Sequence, residues 1–209
     1  MNTTKTAMPR GAVATLLIGV LAATSACGGG DGTTEDATAS PAGPEASSVV
    51  TVLDEPTLEP DPADGVPAPE GKVLLTITGG ETTNVGDSLQ LDRALLEQLG
   101  TVSLTVMDEQ AMGGEHEFTG PLMADVLELA GAGEATTMHA TAVNDYVIDV
   151  PVSDATDLPL VLATEMDGEP MSVADYGPLR FVYPDEQLDL DPAVYDARWI
   201  WQLVELDLR

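Results

Sequence analysis

Cysteine is almost absent from this chain, because Cys27 is the only one among 209 residues. A single thiol excludes an intramolecular disulfide and any metal site built from several thiolates. Long hydrophobic runs are also missing. The most apolar stretch, residues 12–23, is shorter than the roughly 20 residues of a membrane-spanning helix. The folded part must therefore be held together by a hydrophobic core without disulfides.

Basic residues are scarce as well: 7 lysines and arginines face 36 acidic residues, for a formal charge of −29. Such a surface repels nucleic acid and anionic lipid head groups, so we expect no nucleic-acid partner. The excess of acid indicates either a solubilising surface or cation binding. The closest run to a calcium loop, residues 185–191, lacks the glycine and closing glutamate of an EF-hand, and we expect a solvated loop there.

The lone cysteine follows a leader of the secretory type. Residues 1–26 contain no acidic side chain, begin with Lys5 and Arg10, continue through the apolar run and end on small residues. That order is typical of a signal peptide. A cysteine directly after the cleavage site is typical of a bacterial lipoprotein, although an ordinary signal peptide with an incidental cysteine is an alternative. We expect lipidation of Cys27 and anchoring at the extracytoplasmic face of the cell membrane.

The mature chain divides by composition into two parts. Residues 27–71 are rich in small, acidic and proline residues, which predicts a disordered stalk. Within it, the apolar run 48–53 could add an edge strand. Residues 72–209 have enough apolar residues for one domain with its own core.

The pattern of apolar residues in this domain predicts strands joined by a few helices. Strands are expected at residues 73–78, 102–107, 136–143, 146–150, 160–164, 179–183 and 198–208. Leucines between Leu91 and Leu99 predict a short helix ended by Gly100, and a second helix should begin at Pro121 and end at Gly131. A mixed, mostly antiparallel set of strands with two or three short helices defines an α+β domain.

No active site is evident from the residues alone. His116 and His139 lack further histidines at metal-binding spacing, so no metal site is predicted. No nucleophile elbow or phosphate-binding glycine loop is present. Asp145 and Asp149 could face the same side of a strand pair and act as acid and base, but chance carboxylate pairs are expected in so acidic a chain.

Four stretches nevertheless resemble, in order and spacing, the molybdopterin-binding domain of the sulfite oxidase family. They are Phe118-Thr119-Gly120-Pro121-Leu122 with the helix after it, residues 144–151, Leu162-Ala163 through Asp167-Gly168-Glu169-Pro170-Met171, and Gly177-Pro178-Leu179-Arg180 through Pro184. The resemblance covers residues 72–209. It implies that fold and a cofactor groove near Tyr146 and Arg180, with Asp108 and Asp145 as further candidates.

The resemblance also shows what is missing. Members of that family hold molybdenum through a cysteine just after the strand that corresponds to residues 102–107, where this chain has Asp108. A lysine–tryptophan pair that contacts the cofactor in many members is reduced here to Trp201. We therefore expect a lipid-anchored binding or accessory module without cofactor, with an unknown small ligand or protein partner.

Two alternatives stay open. The first is a molybdopterin-dependent oxidoreductase that transfers an oxygen atom with Tyr146 near the metal, and with Asp108 or solvent replacing the thiolate. The second is a purely structural surface protein.

Overall fold

A computed structural model describes residues 49–58, 65–108 and 111–209. The leader, Cys27 and the rest of the expected stalk lie outside these ranges. None of the helices within them has the length and apolar character that crossing a bilayer requires.

The described residues form an α+β domain, as predicted, and its elements follow one another in short connections. In chain order they are β1 Thr51–Asp54, β2 Val73–Thr78, β3 Leu89–Asp92, α1 Arg93–Glu97, β4 Thr101–Met107, β5 Glu115–Gly120, α2 Met123–Ala130, β6 Thr137–Ala142, β7 Val147–Pro151, α3 Ser153–Asp157, β8 Val161–Ala163, β9 Glu165–Met166, β10 Glu169–Pro170, β11 Arg180–Val182, α4 Asp185–Leu188, α5 Pro192–Tyr195 and β12 Leu203–Leu208.

Two five-stranded sheets organise the domain. One has the order β3-β2-β12-β6-β7, and its only parallel pair is β12 with β2. The other has the order β1-β4-β5-β9-β10 and is antiparallel throughout. A separate antiparallel pair, β8 with β11, lies beside β5. Thr164, the residue after β8, donates its N–H to the carbonyl of Thr119 in β5.

The short helices carry the burial that their sequence pattern predicts. The helix predicted from Leu91 to Leu99 is shorter in the structure: Leu91 lies in β3, α1 spans Arg93–Glu97, and its C-cap residue is Gln98 rather than Gly100. The four leucines Leu91, Leu95, Leu96 and Leu99 are nevertheless all buried. Helix α2 buries Val126, Leu127 and Ala130 and ends at Gly131, whose positive φ of 62° suits glycine. It begins at Met123 rather than at Pro121, which precedes the N-cap residue Leu122.

The segment expected as a stalk contributes to the domain. Strand β1, at the position of the expected edge strand, pairs with β4. The N–H groups of Thr57 and Leu58 donate to the Gln98 carbonyl, and Val66 is buried. The folded domain therefore includes residues that precede residue 72.

The last predicted strand is shorter than expected. Residues Asp196–Arg198 form a 3-10 turn, and Gln202 has a left-handed φ of 56°, so β12 starts only at Leu203. The segment before it runs beside β11 instead, where the Phe181 N–H donates to the Ile200 carbonyl. The segment 185–191, expected as a loop, contains the short helix α4. This helix ends at its C-cap residue Asp189, whose φ is 50°.

Candidate functional site

Asp108 and Arg180 form a fully buried ion pair. Asp108 follows β4 directly, and Arg180 is the first residue of β11. The Arg180 Nη1 donates to Asp108 Oδ2 at 2.8 Å, and neither side chain has measurable exposure. The Ala111 N–H donates to the other oxygen, Asp108 Oδ1, at 3.0 Å. Both carboxylate oxygens are thus engaged within the protein.

The guanidinium of Arg180 lies between two aromatic rings. Its central carbon is 4.8 Å from the ring centre of Phe118 and 5.3 Å from that of Trp199. Burial lowers the pKa of Arg180, and the charge of Asp108 opposes that effect. Arginine remains charged in proteins, so the pair and the two rings together stabilise a cation inside the core.

Tyr146 lies in a different environment from Arg180. It is 49% exposed and lines a cavity of about 300 Å³, which we call the aromatic cavity because Trp199 and Trp201 also line it. Arg180 is not part of its wall. The structure thus places Tyr146 at the wall of this cavity and Arg180 in the core beside Asp108, and it does not bring the two side chains together.

A second cavity, of about 290 Å³, shares two wall residues with the first, Asp196 and Trp199. We call it the acidic cavity, since its wall also contains Asp108, Asp185 and Glu186. Burial, with smaller contributions from the charges of Glu186 and Asp196, raises the pKa of Asp185.

The remaining candidate residues do not form a catalytic group. Asp145 lies in the β6–β7 turn with a φ of 63°, while Asp149 is bonded to His139, with 2.6 Å between Oδ1 and Nδ1. His116 is bonded in the same way to Asp167, at 2.7 Å. Within the described ranges, no three His, Cys, Asp or Glu side chains are arranged to hold a metal ion.

The structure also reveals a polar cluster that sequence reasoning missed. Tyr183 donates its hydroxyl to Asp154 at 3.0 Å, and Arg198 Nη1 contacts both oxygens of the same carboxylate at 2.9 and 2.8 Å. Burial, aided by the charge of Asp154, raises the pKa of Tyr183. These residues are far apart in the chain, and no motif marks them.

Comparison with known protein families identifies the family of this α+β domain. The model of the oxidoreductase molybdopterin-binding domain family matches residues 92–203. The chain belongs to this family, which confirms the resemblance carried by the four sequence stretches.

Among solved structures, the chain is similar to the sulfane dehydrogenase SoxCD from Paracoccus pantotrophus, at 17% identity and a TM-score of 0.48. The alignment covers 85% of this chain and 55% of that one, so the chain spans about half the length of the solved protein. No curated protein matches the chain.

The side chains present do not fit the molybdenum cofactor that the family name implies. The position expected for the metal-ligating thiolate holds Asp108, a hard ligand whose two oxygens already accept hydrogen bonds. The arginines that could meet an anionic pterin are each paired with a carboxylate, in the pairs Arg93–Glu165, Arg180–Asp108, Arg198–Asp154 and Arg209–Asp207. The Arg180 Nε and Nη2 atoms are buried without a hydrogen-bond partner among the described residues.

Proposed function

We propose that this protein is a lipid-anchored, extracytoplasmic binding or accessory module that uses the oxidoreductase molybdopterin-binding fold without molybdenum. The observation that carries the proposal is the buried Asp108–Arg180 pair, which lies where the resemblance to the family places the metal ligand. A metal at this point would have to separate two fully buried opposite charges. Leaving a buried charge without its partner costs about 3–5 kcal/mol.

The charge of the molecule supports the same conclusion. After removal of the leader, five basic residues remain against 36 acidic ones, a formal charge of −31. Molybdopterin carries a phosphate, and proteins capture phosphate with free cations or helix N-termini. Among the described residues, only Lys72 is a cation without an ion pair.

The extracytoplasmic location rests on the leader and on Cys27. A basic start, a short apolar run and a cysteine after small residues are the features of a lipoprotein signal. Lipid attached there would hold the domain at the membrane, while the acidic surface keeps it away from anionic head groups.

Metal analysis tests the proposal. The full chain is produced in cells that make molybdopterin, and molybdenum and pterin are measured per chain after purification. We expect both to be far below one per chain. A family member with the ligand cysteine, produced in the same cells, controls for cofactor supply. One molybdenum per chain would reject the proposal and support the oxidoreductase alternative with a non-cysteine ligand.

A further inference from the structure

Two adjoining cavities lie beside residues 196–202; one is lined by aromatic rings and the other by carboxylates. The aromatic cavity is lined by the rings of Tyr146, Trp199 and Trp201, although the Arg180 guanidinium already lies over the Trp199 ring. The acidic cavity is lined by the carboxylates of Asp185 and Glu186. Asp196 and Trp199 belong to both walls. A ligand in this place therefore meets aromatic rings and negative charge together.

The carboxylates of this site are not neutralised by the protein. Within the described residues, Asp185, Glu186 and Asp196 take part in no ion pair, in contrast to Asp108, which Arg180 neutralises. No lysine or arginine lines either cavity. The raised pKa of Asp185 reflects burial and the repulsion of its acidic neighbours. A cation would relieve that repulsion.

The aromatic wall is held in place. Trp201 packs edge-on against Tyr176, with ring centres 4.9 Å apart and an angle of 74° between the rings. Trp199 is only 6% exposed, and its indole N–H has no hydrogen-bond partner among the described residues. Trp199 lines both cavities and thus brings an unsatisfied buried donor close to them.

We infer that these two cavities form one binding site for a small organic cation, such as a quaternary ammonium or protonated amine that also carries an oxygen acceptor. Aromatic rings attract such cations through their faces, and nearby carboxylates add charge attraction. The cavity volumes of about 300 and 290 Å³ are at the lower end of the range for small-molecule sites. This inference deepens the binding role proposed above and rests on it.

Tryptophan fluorescence provides a direct test, because Trp199 and Trp201 are the only two tryptophans of the chain and both line the site. The full chain is titrated with choline, which has a trimethylammonium group and a hydroxyl oxygen. The control ligand is its neutral isostere, in which a tert-butyl group replaces trimethylammonium. Sodium chloride keeps the ionic strength constant. We expect saturable binding of choline and at least about tenfold weaker binding of the isostere.

Three variants locate the effect. Asp196→Asn removes the charge that both cavities share, and Tyr146→Leu removes an exposed aromatic wall residue; each should weaken choline binding about threefold to tenfold. Glu134→Gln makes the same charge change at an exposed position outside both cavities and should leave binding unchanged. Both site variants replace exposed side chains, so folding should be retained, and circular dichroism checks this.

The outcomes separate this inference from the proposed function. Equal binding of choline and its isostere, or a choline affinity that Asp196→Asn does not change, would overturn the cation site while leaving a cofactor-free binding module in place. Stoichiometric molybdenum in the metal analysis would instead overturn the proposed function itself.

Discussion

At the scale of single residues, the most informative pair in the domain is Asp108 with Arg180. Their burial is complete, and two aromatic rings enclose the guanidinium. A buried ion pair contributes little net stability compared with apolar residues of the same size, but removal of one partner leaves an uncompensated charge. The pair therefore makes this position intolerant of change.

Replacement of Asp108 measures that intolerance. Asp108→Asn keeps the shape and the acceptor for the Ala111 N–H, yet it removes the charge opposite Arg180. We expect a loss of about 3–5 kcal/mol in the free energy of unfolding, measured by urea denaturation.

The matched control is Asp207→Asn. Asp207 is bonded to Arg209, but the two side chains are 41% and 56% exposed, so water screens the pair. We expect this substitution to cost less than about 1 kcal/mol. Similar losses for the two variants would mean that the buried pair has no special importance.

At the scale of elements, the start of α1 depends on one buried carboxylate. Asp92 is the N-cap residue: its Oδ1 accepts the Leu95 N–H at 3.0 Å, and its Oδ2 accepts the Gly71 N–H at 2.7 Å. Burial alone would raise the pKa of Asp92, but these backbone N–H groups outweigh it and lower the pKa below the ordinary 3.8. The same side chain thus caps a helix and holds the chain that enters β2.

Asp92→Ala should destabilise the domain by about 2 kcal/mol at neutral pH, because it removes the cap and the bond to Gly71. Since the folded carboxyl has the lower pKa, its contribution is fully present above the ordinary aspartate pKa. It is lost as the pH falls through the folded value. The difference between wild type and variant, measured by urea denaturation, should therefore shrink in acid.

An exposed aspartate near the same elements provides the comparison. Asp87→Ala changes a turn residue before β3 whose side chain makes no hydrogen bond within the described residues. Its effect should be small at every pH. A difference for Asp92→Ala that grows in acid would contradict the assigned role of the cap.

At the scale of the whole molecule, anchoring and charge act together in the proposed function. The domain carries a large negative charge and is proposed to remain at the membrane through lipid on Cys27 alone. Attachment through two or more acyl chains is stable, whereas electrostatic attraction to an anionic bilayer is unavailable to this surface.

Cys27→Ser tests the anchor. We expect the wild-type chain in the membrane fraction of its cells and the variant in the soluble fraction, with the mass of attached lipid missing from the variant. Ser25→Ala, a change within the leader that keeps the small-residue pattern, should behave as wild type. Retention of Cys27→Ser in the membrane would contradict lipid anchoring at this position.

Some elements of the fold were predictable from local pattern. Strand β2 has the predicted bounds, Val73–Thr78, because a short run rich in apolar and β-branched residues is ended by Gly79. The start of the last strand was not. Trp199, Trp201 and Leu203 have the spacing of one face of a strand. Gln202, however, adopts a left-handed conformation, and its N–H donates to the Tyr176 carbonyl. That bond joins distant parts of the chain.

By itself, the sequence determined the family, the α+β class, the absence of a thiol from the folded domain and the strongly acidic charge, because composition, local periodicity and ordered motifs are properties of neighbouring residues. Only the tertiary structure decided that Arg180 is a core residue and that Tyr146 faces a cavity with the two tryptophans. Arg180 and its partner Asp108 are separated by 72 positions. Burial and charge pairing depend on which side chains the fold brings together, and that choice is not written in any local pattern.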